Sequence, residues 1–511
     1  MPDTSGNEQR SLSLKTAKGA GWVIAWRMAT RNLGLVSTLV LARVLTPDDF
    51  GLVAIATGFI AAVEALSAVG VQDALIRESQ LDREMYDTAF TMNLLRCAAS
   101  AVIIALFAGP LGLFFGDQRL TPILLALAAA TLAGGFENVG IVDFPREMAF
   151  HKEFRLQVTG RVIAVILTLV LAVTLHSYWA LIAGIIAGRV VRLAQSYTMS
   201  PYRPRLGLAR WRRIIGFSLW TWAAGLVYMV RDRLDSIVVG RILGAGSVGI
   251  FSVASEIGSL TTTELVEPLY RALFSGFAEA KRTGLSPTHA YLRVISAVLL
   301  LTIPAAVGIS LVAGPLVRLL LGAQWSSAAP LVWVLALPAA VTVTSYVTAA
   351  SLNAEGLAQV NFRLGAYAAA IKLPLLAGGI WGFGLWGGAL GVALSLVVEQ
   401  LLYLDAARHR LAVSLADLAT QAWRPTLAAA VMAAVLLACG LGWNSAANDT
   451  AAVGHLLAAT GTGAAVYALT VFALWAGCGR PEGAETAVWQ LAGWALRRVR
   501  LQRASPSVAA G

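Results

Sequence analysis

Charge is scarce in this 511-residue chain: Asp, Glu, Lys and Arg make up 13% of it, while 58% of the residues are hydrophobic. A soluble globular domain carries about a quarter charged residues, so that class is excluded and a membrane protein is indicated. Cysteine and histidine are also few. Cys97, Cys439 and Cys478 lie far apart without a C-x-x-C pair, and the five histidines fall at no metal-ligand spacing. Neither a disulfide framework nor a metal site is expected, and no cofactor is expected either. Catalytic groupings are absent in the same way. His176, the clearest outer-loop histidine, has no nucleophile near it in the chain, so no catalytic residue is assigned and no enzyme is expected. The net charge of +11 does not point to nucleic acid, because no basic stretch is interleaved with aromatics on a polar domain.

Apolar runs are what the chain has in abundance. A hydrocarbon core about 30 Å thick needs about twenty mostly apolar helical residues, and about fourteen such runs occur. The expected fold is all-α and integral to the membrane: two lobes of six transmembrane helices each, followed by two C-terminal helices. The polar tail 1–18 precedes a first lobe over 19–200, which includes a span read as 120–144. A basic linker, 201–213, leads to a second lobe over 214–405, with spans read as 290–320, 362–380 and 384–405 among its six. A loop over 406–424 precedes spans 425–442 and 453–477, and the tail 478–511 holds an amphipathic stretch from Ala484 to Arg503. That stretch is expected to lie on the membrane surface. The first apolar run carries Arg27 and Arg31 and no convincing cleavage site, so it reads as a retained span and not as a removable signal peptide.

Alternate loops differ sharply in Lys and Arg. One set holds Lys15 and Lys18, Arg77 and Arg83, Arg203 to Arg213, Lys281 and Arg282, Arg408 and Arg410, and the tail arginines from Arg497. The other set, such as Thr46-Pro47-Asp48-Asp49 and Gly244-Ala245-Gly246-Ser247, has almost no cations. The positive-inside bias then places both termini in the cytoplasm, and most of the net charge is a topology signal.

An internal repeat is visible at an offset of 198 residues. Leu41-Ala42-Arg43-Val44-Leu45 with Gly51-Leu52-Val53 matches Val239-Gly240-Arg241-Ile242-Leu243 with Gly249-Ile250-Phe251. Six spans separate the copies, an even number, so both lobes have the same orientation and the implied pseudo-twofold axis runs along the membrane normal.

Charges inside the spans are costly, about 2.5–3.5 kcal/mol each at mid-bilayer, unless they meet water or a partner. Arg31, Arg189 and Lys372 lie deepest and are expected to line a cavity. Arg27, Arg96, Arg161 and Arg192 lie nearer the basic face, where snorkelling to headgroups is expected. Arg231 and Arg233 stand beside Asp232 and Asp235; one reading has these acids neutralise them, the other leaves the arginines to a cavity. Glu64, with Glu256, Glu264 and Glu267 at i, i+8, i+11 on one helical face, reads as a set of counter-ions, with a proton or cation coupling site as the alternative.

Gly19 to Arg77, and within it Thr46-Pro47-Asp48-Asp49-Phe50-Gly51 and Val69-Gly70-Val71-Gln72-Asp73-Ala74-Leu75, resembles the Wzx-type flippases of the multidrug/oligosaccharidyl-lipid/polysaccharide exporter superfamily. The resemblance implies a bacterial inner-membrane protein that moves an undecaprenyl-pyrophosphate-linked oligosaccharide between leaflets for exopolysaccharide, capsule or O-antigen assembly. It implies pyrophosphate contacts at Arg27, Arg31, Arg231 and Arg233, to which Arg189 and Lys372 add deep cations, with Glu64, Asp235, Glu256 and Glu264 as counter-ions or coupling sites. Membrane lipids, a polysaccharide polymerase and a chain-length regulator are the implied partners. A cation-coupled drug exporter of the same superfamily is one competing reading, and a membrane polymerase or ligase is another.

Overall fold

The computed structural model describes residues 4–67, 70–78, 81–212, 234–265, 273, 276–277, 279–284, 286–444, 448–480 and 485–486. Among these residues every regular element is a helix. Hydrocarbon offers no hydrogen-bond partner, so a spanning backbone must satisfy its own N–H and C=O groups, and a helix does so within one segment. Nine helices among the described residues are long and apolar enough to cross a bilayer. Leu106, Leu113, Leu457 and Leu469 stand exposed on two of them, as expected where lipid covers the surface. This is a multi-pass membrane protein.

The chain forms two compact units, Met1–Ser252 and Val253–Gly511. The first contains α1 (Thr4–Val44), α2 (Pro47–Ser67), α3 (Val71–Arg77), α4 (Arg83–Phe115), α5 (Leu120–Gly135), α6 (Asp143–Arg146), α7 (Phe150–Leu175) and α8 (Trp179–Met199). Here α1 packs on α7, α7 on α8, α8 on α5, α5 on α4 and α4 on α2, and the inner faces line a shared interior.

Two details differ from the sequence reading in this unit. Helix α1 starts at Thr4, so residues 4–18, read from the sequence as a polar tail, continue the helix of the first apolar run. The run 120–144 is not one straight helix: α5 stops at Gly135, and the segment Val139–Arg146 leaves it at an angle of 71°. The break lies at Asn138, which is fully buried at 0% exposure. Its side-chain oxygen accepts from Gly140 N at 2.9 Å, and its Nδ2 donates to the Tyr202 carbonyl at 2.7 Å. An asparagine that offers the backbone such partners competes with helix continuation.

In the second unit, the core joins Tyr291, Ile295, Val298 and Leu299 on Pro287–Leu311 to Val343, Val347 and Ala350 on Ala329–Ala354. The run 290–320 is divided into Pro287–Leu311 and Ala313–Leu321. The stretch Ala358–Leu411 is two antiparallel helices that turn at Phe383 and Gly384, where the backbone leaves helical angles. A Cβ on Gly379 would meet the Gly387 carbonyl carbon at 2.7 Å, and one on Gly391 would meet that of Leu375 at 2.7 Å. In a straight helix residues eight apart are about 12 Å apart, so only a hairpin brings them together, as the spans 362–380 and 384–405 anticipated. Glu485, near the start of the tail, is buried against Arg424, with Nη1 and Oε1 at 2.8 Å. The rest of the proposed surface helix lies outside the described residues.

Candidate functional site

The interior of the first unit holds two cavities of about 400 Å³ each. Arg189 and Arg192, one helical turn apart on α8, line both of them. Arg189 sends Nη2 to Glu64 Oε1 on α2 at 2.9 Å and Nη1 to Thr131 Oγ1 on α5 at 2.9 Å. Arg192 donates from Nε to Glu137 Oε1 at 2.6 Å and from Nη1 to Gln157 Oε1 on α7 at 3.1 Å. Arg96, on α4, reaches Asn93 Oδ1 at 2.9 Å and Cys97 Sγ at 3.3 Å, and no described carboxylate pairs with it. Three arginines against two glutamates leave the first cavity with one positive charge in excess.

Small residues shape the second cavity. A Cβ on Gly34 would stand 2.9 Å from Arg161 Nη2, and one on Gly184 would stand 3.0 Å from Thr168 Cβ. The guanidinium of Arg161 therefore lies close over the α1 backbone at Gly34. The cavity walls are otherwise largely apolar, among them Leu41, Phe50, Val53 and Leu181.

The structure unites only part of the predicted set. Arg189 and Glu64 meet, as a deep cation and its counter-ion. Arg27 is exposed on α1, its guanidinium 5.6 Å from the Trp26 ring centroid, and Arg31 is half-buried on the same helix; neither lines these two cavities. Lys372 is half-buried in the second unit, and Asp235 is half-buried in the helix 234–243. Glu256 is exposed on Ala245–Gly258. Glu264 belongs to a separate helix, Leu260–Leu265, beyond a turn at Ser259, so the single straight face assumed for these acids is interrupted. Arg231, Asp232, Arg233 and Glu267 lie outside the described residues, as does the Glu264 side chain.

Arg96 and Arg192 line the first cavity and do not read as simple snorkelling side chains, whereas Arg161, which borders the second cavity, is exposed and leaves that expectation untouched. Sequence position estimates depth along a helix but not the direction a side chain takes around it, and for Arg96 and Arg192 the direction decides. The sequence reading also passed over Thr131, Glu137, Asn138 and Gln157. Glu137 and Asn138 were detectable as adjacent polar residues within an apolar run.

The basic segment 201–212 is strapped along one end of this unit. Tyr202 donates its hydroxyl to Asp87 Oδ1, which also accepts from Arg205 N at 3.0 Å. Gly207 N bonds Thr91 Oγ1 at 2.9 Å, and Arg210 reaches both Asp82 and Glu84. Burial, then the Asp87 carboxylate at its hydroxyl, push the Tyr202 phenol above its usual range. Asp87→Ala removes an acceptor shared by two donors. It should loosen the strap by about 1.5–3 kcal/mol, the usual worth of hydrogen bonds to a charged group. Limited proteolysis within 201–212 checks this; an unchanged cleavage rate would contradict it.

Residues 40–330 match the sequence model of a family described as polysaccharide biosynthesis protein. The chain belongs to this family. Among curated proteins, the lipopolysaccharide biosynthesis protein WzxC of Escherichia coli K12 is 24% identical over 402 residues, 77% of this chain and 80% of the relative. The succinoglycan biosynthesis transport protein ExoT of Rhizobium meliloti is 25% identical over 332 residues, 64% of this chain and 67% of the relative. Among solved structures, the lipid II flippase MurJ in an inward closed conformation aligns with a TM-score of 0.73 at 15% identity, covering 89% of this chain and all (100%) of that one. An inward-facing multidrug resistance transporter of the MATE family and MOP superfamily aligns at 0.59 with 16% identity, covering 75% of this chain and 94% of the other. The all-helical transporter fold expected for this polysaccharide biosynthesis protein is therefore shown.

Proposed function

We propose that this chain is a flippase that carries an undecaprenyl-pyrophosphate-linked oligosaccharide from the inner to the outer leaflet of the bacterial cytoplasmic membrane. The product serves exopolysaccharide, capsule or O-antigen assembly, and both termini of the chain are cytoplasmic. One observation carries this reading: Arg96, Arg189 and Arg192 converge on a cavity inside an otherwise apolar helical unit, with cationic charge in excess. Guanidinium is planar, permanently charged and matched to paired phosphate oxygens. A cationic drug would find such a cavity repulsive, so the arginines favour the anionic cargo over the drug-exporter reading.

Arg96 has no described carboxylate mate and is the cation most open to a phosphate. Arg189 and Arg192 can exchange Glu64 and Glu137 for phosphate oxygens when cargo arrives, and take them back when it leaves. Counter-ions of this kind keep the empty cavity from holding strongly exposed positive charge at mid-membrane. Arg27, Arg31, Arg231, Arg233 and Lys372 extend the cationic path, and Asp235, Glu256 and Glu264 balance it. The lobes rock about the site in alternating access, while a polymerase and a chain-length regulator receive the product on the far side.

Arg96→Gln tests the cargo, because losing a cation without a carboxylate mate leaves no acid unbalanced. Surface polysaccharide should fall by about 10- to 150-fold, the equivalent of a 1.5–3 kcal/mol charged hydrogen bond, and lipid-linked precursor should accumulate in the inner leaflet. Undiminished export from a stably inserted Arg96→Gln, Arg189→Gln protein would refute the reading.

A further inference from the structure

The second unit holds a cavity of about 630 Å³, inside the range of about 300–1,000 Å³ usual for a ligand pocket. None of the cations assigned to cargo lines it. Its lining divides by chemistry: Ser286, His289 and Arg293 are polar, while Leu273, Phe277 and Val294 are apolar. Phe277 belongs to the buried core of this unit, and Leu273 and Val294 pack against that core, so the apolar wall is fixed in place.

The polar wall is short of negative charge. Just before the helix Pro287–Leu311, Lys281 Nζ lies 2.9 Å from Glu355 Oε2 and Arg282 pairs with Glu279. Those two cations are matched. Arg293 and His289, both exposed and one turn apart on the helix, have no carboxylate partner among the described residues, and no acid is part of the cavity lining. Ser286 precedes the helix, and its hydroxyl makes no capping bond.

Position along the span adds a second constraint. The helix has 25 residues, about 37 Å at 1.5 Å per residue, against about 30 Å of hydrocarbon. Its first turns therefore pass through the level where headgroup phosphates meet acyl chains. Helical side chains lean toward the N-terminus, and a long basic side chain follows its charge toward water, so the Arg293 guanidinium is carried back to that level.

We infer that this cavity is a binding site for an anionic phospholipid, with the headgroup phosphate on Arg293, His289 and Ser286 and the upper acyl carbons against Phe277 and Val294. The inference goes beyond the flippase reading and does not depend on it. Basic pockets between transmembrane helices suit acidic headgroups, and the guanidinium fork matches paired phosphate oxygens. Hydrocarbon against protein is worth little more than hydrocarbon against lipid, so selection among lipids falls to the headgroup. A zwitterionic headgroup would bring an ammonium to a wall of cations with no acid to receive it. A soluble phosphate would leave the apolar wall uncovered.

Photolabelling tests this without reading export. The purified full chain is placed in phosphatidylcholine nanodiscs with a trace of phosphatidylglycerol that carries a diazirine at the top of one acyl chain. Illumination should label the segment 273–294 about tenfold more than the same diazirine on phosphatidylcholine does, the worth of one charged hydrogen bond. Unlabelled phosphatidylglycerol should compete the signal away. His289→Gln, Arg293→Gln should lower the labelling about tenfold or more, and Arg293→Lys, which keeps the charge, should hold it within about threefold of the parent. Equal labelling by the two probes would mean an ordinary annular lipid and would overturn the inference, and so would unchanged labelling of the double variant. Stronger competition by inorganic phosphate than by phosphatidylglycerol would assign the cavity to a soluble anion instead, and stronger competition by farnesyl pyrophosphate would assign it to a polyprenyl cargo; either result rejects the phospholipid. The parent comparison needs no substitution, so it decides the matter even where a variant fails to insert.

Discussion

Arg189→Ala is expected to stop export and to destabilise the protein, whereas Glu64→Gln, Arg189→Gln should recover stability without recovering export. Removing one member of a fully buried ion pair costs about 3–5 kcal/mol, because the other charge is stranded. Here both side chains keep part of their surface open to the cavity, 30% for Arg189 and 36% for Glu64. Membrane hydrogen bonds also measure weaker than those limits, so about 1–3 kcal/mol is the expected loss. The neutral double variant strands no charge and should return to within about 1 kcal/mol of the parent. Export responds to a different quantity, the guanidinium offered to the phosphate, and should stay at least tenfold down in both variants, the equivalent of about 1.4 kcal/mol. Thermal unfolding in detergent paired with polysaccharide assays separates the two. Recovery of export in the double variant would show that Arg189 is structural and does not touch cargo.

Asn138→Ala is expected to be the most damaging single change to stability in the first unit. Its side chain serves the Gly140 N–H and the Tyr202 carbonyl, and its own N–H donates to Ser196 Oγ at 2.9 Å. Alanine leaves the Gly140 N–H buried without a partner, at about 1–3 kcal/mol, and takes from the Tyr202 carbonyl one of its two donors, the other being Arg203 Nη1 at 2.9 Å, at about 0.5–1.5 kcal/mol, so a loss of about 1.5–4.5 kcal/mol is expected. The damage should reach three places together: the broken end of α5, the end of α8 and the start of the strap at Tyr202. Asn138→Asp keeps the acceptor for Gly140 but sets a carboxylate against the Tyr202 carbonyl, so it should rescue little. A melting temperature within 2 °C of the parent for Asn138→Ala would contradict this account, since about 1 kcal/mol moves a protein of ordinary domain size by a few degrees.

Much of the fold was legible because the bilayer imposes a simple rule on sequence. Apolar runs of the needed length mark the spans: α7 and α8 fall close to the runs 155–175 and 178–199, whereas the run 50–76 divides into α2 and α3. The hairpin at Phe383 and Gly384 was legible too, from the short glycine-rich gap between two apolar runs. The break at Asn138 was not, because one asparagine in an apolar run can equally point its amide at solvent, at a neighbouring helix or at its own backbone. Only the arrival of Tyr202 and Ser196 from far along the chain decides among these.

The candidate site divides the same way. Position along a helix belongs to the sequence: counting residues from a helix end is enough to place Arg189 near the middle of α8. Direction and partnership belong to the tertiary structure. Glu64 lies 125 positions from Arg189 in the chain, and their pairing depends on how α2 and α8 are rotated about their axes, which uniformly apolar faces do not encode. The sequence alone thus determined a multi-pass helical membrane protein with repeated halves and buried cations, because hydrocarbon penalises any other backbone and any charge placed without reason. Only packing decided which arginines turn inward and which acids meet them, because those outcomes depend on contacts between residues remote in the chain.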